Sequence, residues 1–459
     1  MNPLFNMLFL LRLIKEYLFT TNRLNRLNFE QIQKYRNKAF RKTIKYSYNL
    51  PLYHDKYKTA GINPDKIHGT QDISKLPFLT KKDLKNYYPD GLLPAGANKK
   101  NFLLVNTSGT TKEPISIYTE YYEIFKTMIG FLRIFKEYDI SWNKSKITIV
   151  ADLSEGRAES TYLTQTTMPY LKPFFSLKNI QVLNQHDPPK EIIKKINAFK
   201  PDFLGASPYI LTELTILKKV GYSGKKINPK CIASSGGILD IYTKKHIKEI
   251  FPSSHILDSY GATECGTISF QCKKGNQHIF SDFVYVEVID KKGNPVPNGQ
   301  KGEIVVTRLY GKGTPIIRYK DLHDIITLSD KKCNCGINTP IIQEIQGRKA
   351  PFIRLNNGKI FSRFDLTNLI SKIEYQLRNE KIIKIQIVQN TTRDIDILVK
   401  FYEYDIFPKV TSQELLPTIK NHFVKTFGSD ININIKEIEK LSPKTPLIIS
   451  KVTENESLF

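Results

Sequence analysis

Val105, Asn106, Thr107, Ser108, Gly109, Thr110, Thr111, Lys112, Glu113 and Pro114 follow a short apolar run and crowd hydroxyl residues around one glycine. Such a loop can offer backbone N–H groups and hydroxyls to a polyphosphate, with a lysine beside them to meet its charge. It lacks the paired glycines and following lysine that define a Walker loop. Serine, threonine and glycine also build ordinary surface turns, so this loop alone is a weak signal.

A second stretch joins complementary groups: Asp258, Ser259, Tyr260, Gly261, Ala262, Thr263 and Glu264, directly after the strand-like Ser254 to Leu257. An aromatic ring can stack on a purine, a hydroxyl can bond a phosphate, and a carboxylate can hold Mg²⁺ beside it.

Together the two stretches resemble the core motifs of the adenylate-forming superfamily, a SGTTG-x-P loop and a YG-x-TE segment. The branch most similar is that of the phenylacetate-coenzyme A ligases and the capsular polysaccharide CapK-like proteins. The resemblance extends over nearly the whole chain, from the helical preamble ending at Pro51 and Tyr53, through Leu76 to Lys81, to the C-terminus. It implies that Ser108, Gly109, Thr110, Thr111 and Lys112 hold the β- and γ-phosphates of ATP. Ser235, Gly236 and Gly237 would line the adenine pocket, with Tyr260 stacked on the base, Asp258 and Gly261 also binding the cofactor, and Thr263 and Glu264 facing phosphate and Mg²⁺. The ribose-binding aspartate of the family follows an Arg-Tyr pair, here Arg318 and Tyr319, which makes Asp324 the first candidate and Asp321 the second. Gly347 and Arg348 match the Gly-Arg of the interdomain hinge, although Lys349, Ala350 and Pro351 replace the carboxylate that usually follows. Lys444 corresponds to the catalytic lysine, with Pro443 where a glycine is usual and Lys451 as a rival. A lysine there would neutralise charge developing between the acyl oxygen and the α-phosphate.

The activity implied is ATP-dependent conversion of a carboxylic acid to an acyl-adenylate, followed by transfer to coenzyme A. The alternatives are transfer to another acceptor in surface polysaccharide assembly, or a degenerate homologue that only binds. Tyr162, Ser207, Pro208 and Gly237 are the expected surroundings of the acid, whose identity is not legible.

Cys272 and His278 form one pair and Cys333 and Cys335 another, flanking an antiparallel segment. Thiolates and imidazole in a reduced compartment suit tetrahedral Zn²⁺, and four protein ligands would make the site structural, because no position is left for an activated water. Cys265 is the reserve ligand, and buried free cysteines are the alternative. Five cysteines in so large a chain argue against a disulfide scaffold and for a cytoplasmic location.

These groups need a layered α/β body to position them. Apolar β-rich runs at Ile147–Val150, Ile180–Leu183, Phe203–Ala206 and Ile232–Ser235 alternate with helical stretches at Pro189–Phe199 and Pro208–Val220, the pattern of a parallel sheet. Val284–Ile289 and Gly302–Thr307 around a turn at Lys291–Asn294 predict an antiparallel segment. After Gly347 the order hairpin, helix, strand, strand, helix, strand predicts a small α+β domain, which the resemblance implies is mobile. The expected domains are therefore residues 1–346, with a helical preamble over 1–90, and residues 347–459.

A length of 459 residues exceeds what one core usually supports. The net charge of +25 suits nucleotides and coenzyme A as partners. Lysine and arginine are spread along the chain with no zinc-finger spacing or basic heptad, so no nucleic-acid partner is expected. Leu8, Leu11, Ile14 and Leu18 recur at helical spacing and are expected to lie on the protein body, with contact at a membrane interface as the alternative. Arg12, Lys15 and Glu16 rule out a transmembrane span there; a homodimer is left open.

Overall fold

The computed structural model describes residues 2–107, 114–219, 221–222, 227–348, 351–377, 382–401, 411–439 and 446–452. The chain forms two compact units, one of Met1–Leu211, Lys225–Gly237 and Ser253–Ile345, the other of Thr212–Gly224, Ile238–Pro252 and Gln346–Phe459.

The first unit opens on helices α1 (Met7–Thr20), α2 (Arg23–Arg26), α3 (Phe29–Ser47), α4 (Pro51–Thr59) and α5 (Lys81–Tyr87). Asn28 and Thr80 start α3 and α5 with reciprocal capping boxes, in which side chains take N–H groups that the first turn leaves unpaired. Pro51 ends the helical period of α3 and opens α4 in the first turn, where its missing N–H matters least.

Helix α1 overturns one expectation. Leu8, Leu11, Ile14 and Leu18 do not lie on the protein body; they are 78%, 53%, 45% and 55% exposed. Leu13 is buried instead, beside Leu4, Tyr122 and Phe125. The helix is apolar around most of its circumference, so periodicity cannot choose which stripe is buried. Polar anchors choose it. The Glu16 carboxylate accepts from the Tyr122 hydroxyl at 2.7 Å and the Thr20 hydroxyl at 2.5 Å, and Arg133 Nε donates to the Thr20 carbonyl at 2.8 Å.

Strands β1 (Phe102–Asn106) and β2 (Ser116–Glu120) pair antiparallel. After α6 (Tyr121–Glu137) the chain alternates: β3 (Ile147–Ala151), α7 (Met168–Leu171), β4 (Ile180–Asn184), α8 (Pro189–Phe199), β5 (Phe203–Ala206), α9 (Pro208–Lys219), β6 (Cys231–Ser235), α10 (Ile241–Ile250) and β7 (His255–Ala262). The neighbours β4, β3, β5, β6 and β7 are all parallel. Their runs, such as Ile147 to Ala151, are apolar and β-branched, as strands covered on both faces require. Antiparallel β8 (Gly266–Gln271), β9 (Gln277–Ile279), β10 (Val284–Ile289), β11 (Lys301–Arg308), β12 (Asp324–Ser329) and β13 (Ile341–Arg348) continue the same sheet. Among the described residues its order is β10-β11-β12-β13-β9-β8-β7-β6-β5-β3-β4. No helix among the described residues is long and apolar enough to cross a membrane.

The second unit has its own core. A hairpin of β14 (Ile353–Arg354) and β15 (Ile360–Phe361) leads to α11 (Arg363–Leu377), β16 (Ile382–Gln389), β17 (Asp394–Phe401), α12 (Ser412–Phe427), β18 (Asn432–Glu437) and β19 (Ile448–Ser450). The order β18-β17-β16-β19 pairs β16 and β17 antiparallel, with parallel strands outside them. Ile387, Ile397 and Val399 from the sheet pack with Leu366 and Ile373 from α11 and Ile419 and Phe423 from α12. The short β19 was not foreseen; three residues are too few to show a period.

Candidate functional site

Strands β6 and β7 run in register, Ser234 opposite Asp258 and Ser235 opposite Ser259. Ser235, Gly236 and Gly237 therefore leave the sheet beside Tyr260, at the carboxyl end of the parallel strands, where open α/β sheets bind ligands. Gly236 has φ +80°, and a Cβ on Gly237 would meet Pro208 Cδ at 3.2 Å. The backbone can turn tightly here and the first residue of α9 can approach closely. Strand β7 runs on through Ala262, so Asp258, Tyr260 and Gly261 are strand residues, where the expected strand ended at Leu257. The register shifts between Tyr260 and Gly261, and a Cβ on Gly261 would stand 2.8 Å from the Gly266 carbonyl oxygen.

Tyr260 and Asp324 meet. The tyrosine hydroxyl donates to Asp324 Oδ2 at 2.6 Å, a length typical of O–H bonds to carboxylates. Strands β8, β9 and β13 stand between β7 and β12 in the sheet order. Four strand spacings would put the two residues about 19 Å apart in a flat sheet. Their contact therefore requires a strongly coiled sheet, the consequence of right-handed strand twist.

The second ribose candidate, Asp321, is differently employed: its carboxylate accepts the Lys81 N–H at 2.6 Å, at the start of α5. The preamble is laced to this segment, with Leu79 N–H on the Arg318 carbonyl and Lys320 N–H on the Leu79 carbonyl. Arg318, held at φ +51°, buries its guanidinium between the Glu287 carboxylate at 2.9 Å, the Leu76 carbonyl at 2.5 Å and the Phe78 ring. The Arg-Tyr pair is thus structural on its arginine side, while Tyr319 donates to Glu264 Oε1 at 3.3 Å. Thr263 and Glu264 occupy the turn after β7, half-buried, and offer the hard oxygen donors that Mg²⁺ takes.

A buried ion pair next to these residues escaped sequence reading. Glu123 on α6 meets Arg308 at 3.0 Å and accepts from the Thr119 hydroxyl at 3.1 Å and the Gly313 N–H at 2.6 Å. Tyr162 belongs to this neighbourhood, its hydroxyl pushed well up by burial. Pro208 and Gly237 adjoin one another. The available signal was the spacing of charges on α6, where Glu123, Lys126 and Arg133 fall among the buried residues of the helix.

The ligand atoms of Cys272, His278, Cys333 and Cys335 all lie within 4.8 Å of one another. Cys272 Sγ is 3.8 Å from Cys333 Sγ, and Cys335 Sγ is 3.3 Å from His278 Nε2. A tetrahedron with Zn–S of about 2.3 Å has S···S edges of about 3.8 Å, so the residues fit the ion. His278 Nδ1 faces the Thr339 hydroxyl at 3.3 Å and leaves Nε2 for the cluster, while Asn276 Nδ2 donates to Cys333 Sγ at 3.1 Å. Cys265, the reserve ligand, is not part of this cluster: it sits before β8 and Cys272 after it, on the order of 20 Å of extended chain away. Its burial pushes the thiol well up.

Ser108, Gly109, Thr110, Thr111, Lys112 and Lys444 lie outside the described residues. Lys451 is exposed and donates to Asn390 Oδ1 at 2.7 Å. Arg348 is exposed at the end of β13, after Gly347 with φ +73°.

Residues 178–310 match the family model described as AMP-binding enzyme. The phenylacetate-coenzyme A ligase of Aromatoleum evansii is 26% identical over 61% of this chain and 62% of its own length. Protein CapK of Staphylococcus aureus is 22% identical over 94% of this chain and 93% of its own. The match to the first of these relatives thus spans less than two thirds of its length. A crystal structure of 2-hydroxyisobutyryl-coenzyme A ligase superposes with a TM-score of 0.74 at 16% identity, covering 93% of this chain and 91% of that one, a likeness of fold. Its motifs and these matches support membership of the adenylate-forming superfamily, on the branch of the phenylacetate-coenzyme A ligases and CapK.

Proposed function

We propose that the protein activates a carboxylic acid with ATP as an acyl-adenylate and passes the acyl group to coenzyme A. The observation that carries this reading is the Tyr260–Asp324 hydrogen bond beside Ser235 to Gly237. It sets an aromatic face and a carboxylate at the mouth of the parallel strands, the pair of groups that a purine and a ribose diol call for. Tyr260 donates to Asp324, and a carboxylate has several lone pairs with which to accept from ribose hydroxyls as well.

In the reaction proposed, the acid's carboxylate attacks the α-phosphorus in line, and pyrophosphate leaves. A thiol then attacks the acyl carbon and AMP leaves. Positioning supplies much of the acceleration, and no side-chain nucleophile is required. The loop from Ser108 to Lys112 would hold the β- and γ-phosphates, and Lys444 would offset charge between acyl oxygen and α-phosphate. Mg²⁺, bound near Thr263 and Glu264, would neutralise the departing pyrophosphate. Zn²⁺ on Cys272, His278, Cys333 and Cys335 would tie the turn after β8 to the loop before β13.

The CapK match, which spans more of both chains, supports a second reading in which the acyl group goes to another acceptor, as in surface polysaccharide assembly. Pyrophosphate release from ATP, Mg²⁺ and a panel of aryl, fatty and hydroxy acids, each with and without coenzyme A, separates the readings. Release that depends on one acid supports adenylation, and thioester formation selects coenzyme A. Silence together with failure to bind ATP would overturn the proposal and leave a degenerate homologue.

A further inference from the structure

The outward face of α1 has no task in adenylation. Leu8, Leu11, Ile14 and Leu18 form one continuous stripe at helical spacing, each roughly half exposed or more. The stripe extends onto a second element, because Phe5 rests on Phe174 with ring centroids 5.5 Å apart, and Phe174 and Phe175 are themselves 43% and 45% exposed. Isolated exposed leucines are ordinary, but a contiguous patch of large apolar side chains marks a binding surface.

The charges around the patch choose its occupant. The one acid of α1, Glu16, is turned inward onto Tyr122, Thr20 and Lys126. Lys15 stays exposed, as does Arg12 although its guanidinium lies over the Tyr122 ring, and Lys172 stands exposed two residues before Phe174. The chain as a whole carries +25. An apolar stripe edged with cations and cleared of its only carboxylate complements the acyl boundary and phosphate layer of an anionic bilayer. A second copy of this chain would bring the same positive charge to the contact.

We infer that the outer face of α1, with Phe174 and Phe175, docks the protein on anionic membrane surfaces, lying in the interface without crossing it. The buried anchors make this a rigid platform. Glu16, Leu13 and Thr20 fix the inner side of the helix, so the outer side is presented without unfolding.

Co-sedimentation of the full chain with vesicles of phosphatidylcholine alone, or of phosphatidylcholine with phosphatidylglycerol, tests this. The expected result is binding to the anionic vesicles that falls at least about tenfold when Leu8, Leu11 and Leu18 are all replaced by serine. Lys15→Glu should weaken anionic binding as well. Since all four residues are exposed, circular dichroism and Tm should stay at wild-type values. Three results would overturn the inference: no binding to either vesicle, binding unchanged by the serine substitutions, or a concentration-dependent dimer that those substitutions dissolve.

Discussion

The hydroxyl of Tyr260 bonds the carboxylate of Asp324 at 2.6 Å, joining the end of a parallel strand to the start of an antiparallel one across three intervening strands. Asp324→Ala should remove the proposed ribose acceptor and weaken ATP binding by about tenfold to a hundredfold, the worth of one or two hydrogen bonds to a charged group. Tyr260→Phe keeps the ring and should cost less than Tyr260→Ala. Isothermal titration with ATP measures all three, and Asp321→Ala should instead lower Tm, because that carboxylate serves the start of α5.

Asp282 lies fully buried between two arginines, Arg133 at 2.5 and 2.8 Å and Arg23 at 2.8 Å. Burial alone would raise its carboxyl, but Arg133 and Arg23 prevail and hold it down at about 2, from an ordinary 3.8. A carboxyl lower in the folded than in the unfolded chain contributes stability that is complete above the unfolded value. That contribution is lost as pH falls through 3.8 toward 2. Asp282→Asn should destabilise the protein by about 3–5 kcal/mol near neutral pH and flatten the acid limb of its stability curve. Urea titrations across that limb measure both effects.

Much of this arrangement was legible in residues. Strands such as Phe203–Ala206 and helices such as Pro189–Phe199 match their apolar patterns, because tertiary packing and local propensity agree there. The coiling that brings Tyr260 to Asp324 was not legible, since it depends on the cumulative twist of strands between them. Nor was the inward stripe of α1: Leu13 and Leu11 are chemically alike, and only the partners of Glu16 and Thr20, on α6, distinguish the two faces. The Cys272 and Cys333 pairs could be suspected from spacing, but their meeting depends on β8 and β9 folding beside β13.

The cluster of Cys272, His278, Cys333 and Cys335 should carry one zinc ion per chain when the protein is purified without chelator. Metal analysis by mass spectrometry checks this, with Cys272→Ser or His278→Ala expected to lose the ion and lower Tm. A structural ion should leave the pH dependence of adenylation unmoved in whatever folded protein remains, because four protein ligands admit no activated water.

Glu123 and Arg308 are buried as a pair, so removing one partner strands the other charge. Glu123→Ala should destabilise by about 3–5 kcal/mol, and Glu123→Gln by less, since it can still accept from the Gly313 N–H. Gly311→Ala should also lower Tm: its φ is +97° and an added Cβ would fall 2.2 Å from Glu123 Cδ. Thermal melts of the three variants give the order.

The most direct test of adenylation follows the oxygen atoms. With the acid selected by pyrophosphate release and its carboxylate labelled with oxygen-18, attack at the α-phosphorus transfers one labelled oxygen to AMP, and the rate should collapse in Lys444→Ala. Recovery of the label in inorganic phosphate alongside ADP would mean attack at the γ-phosphorus, and would contradict the account.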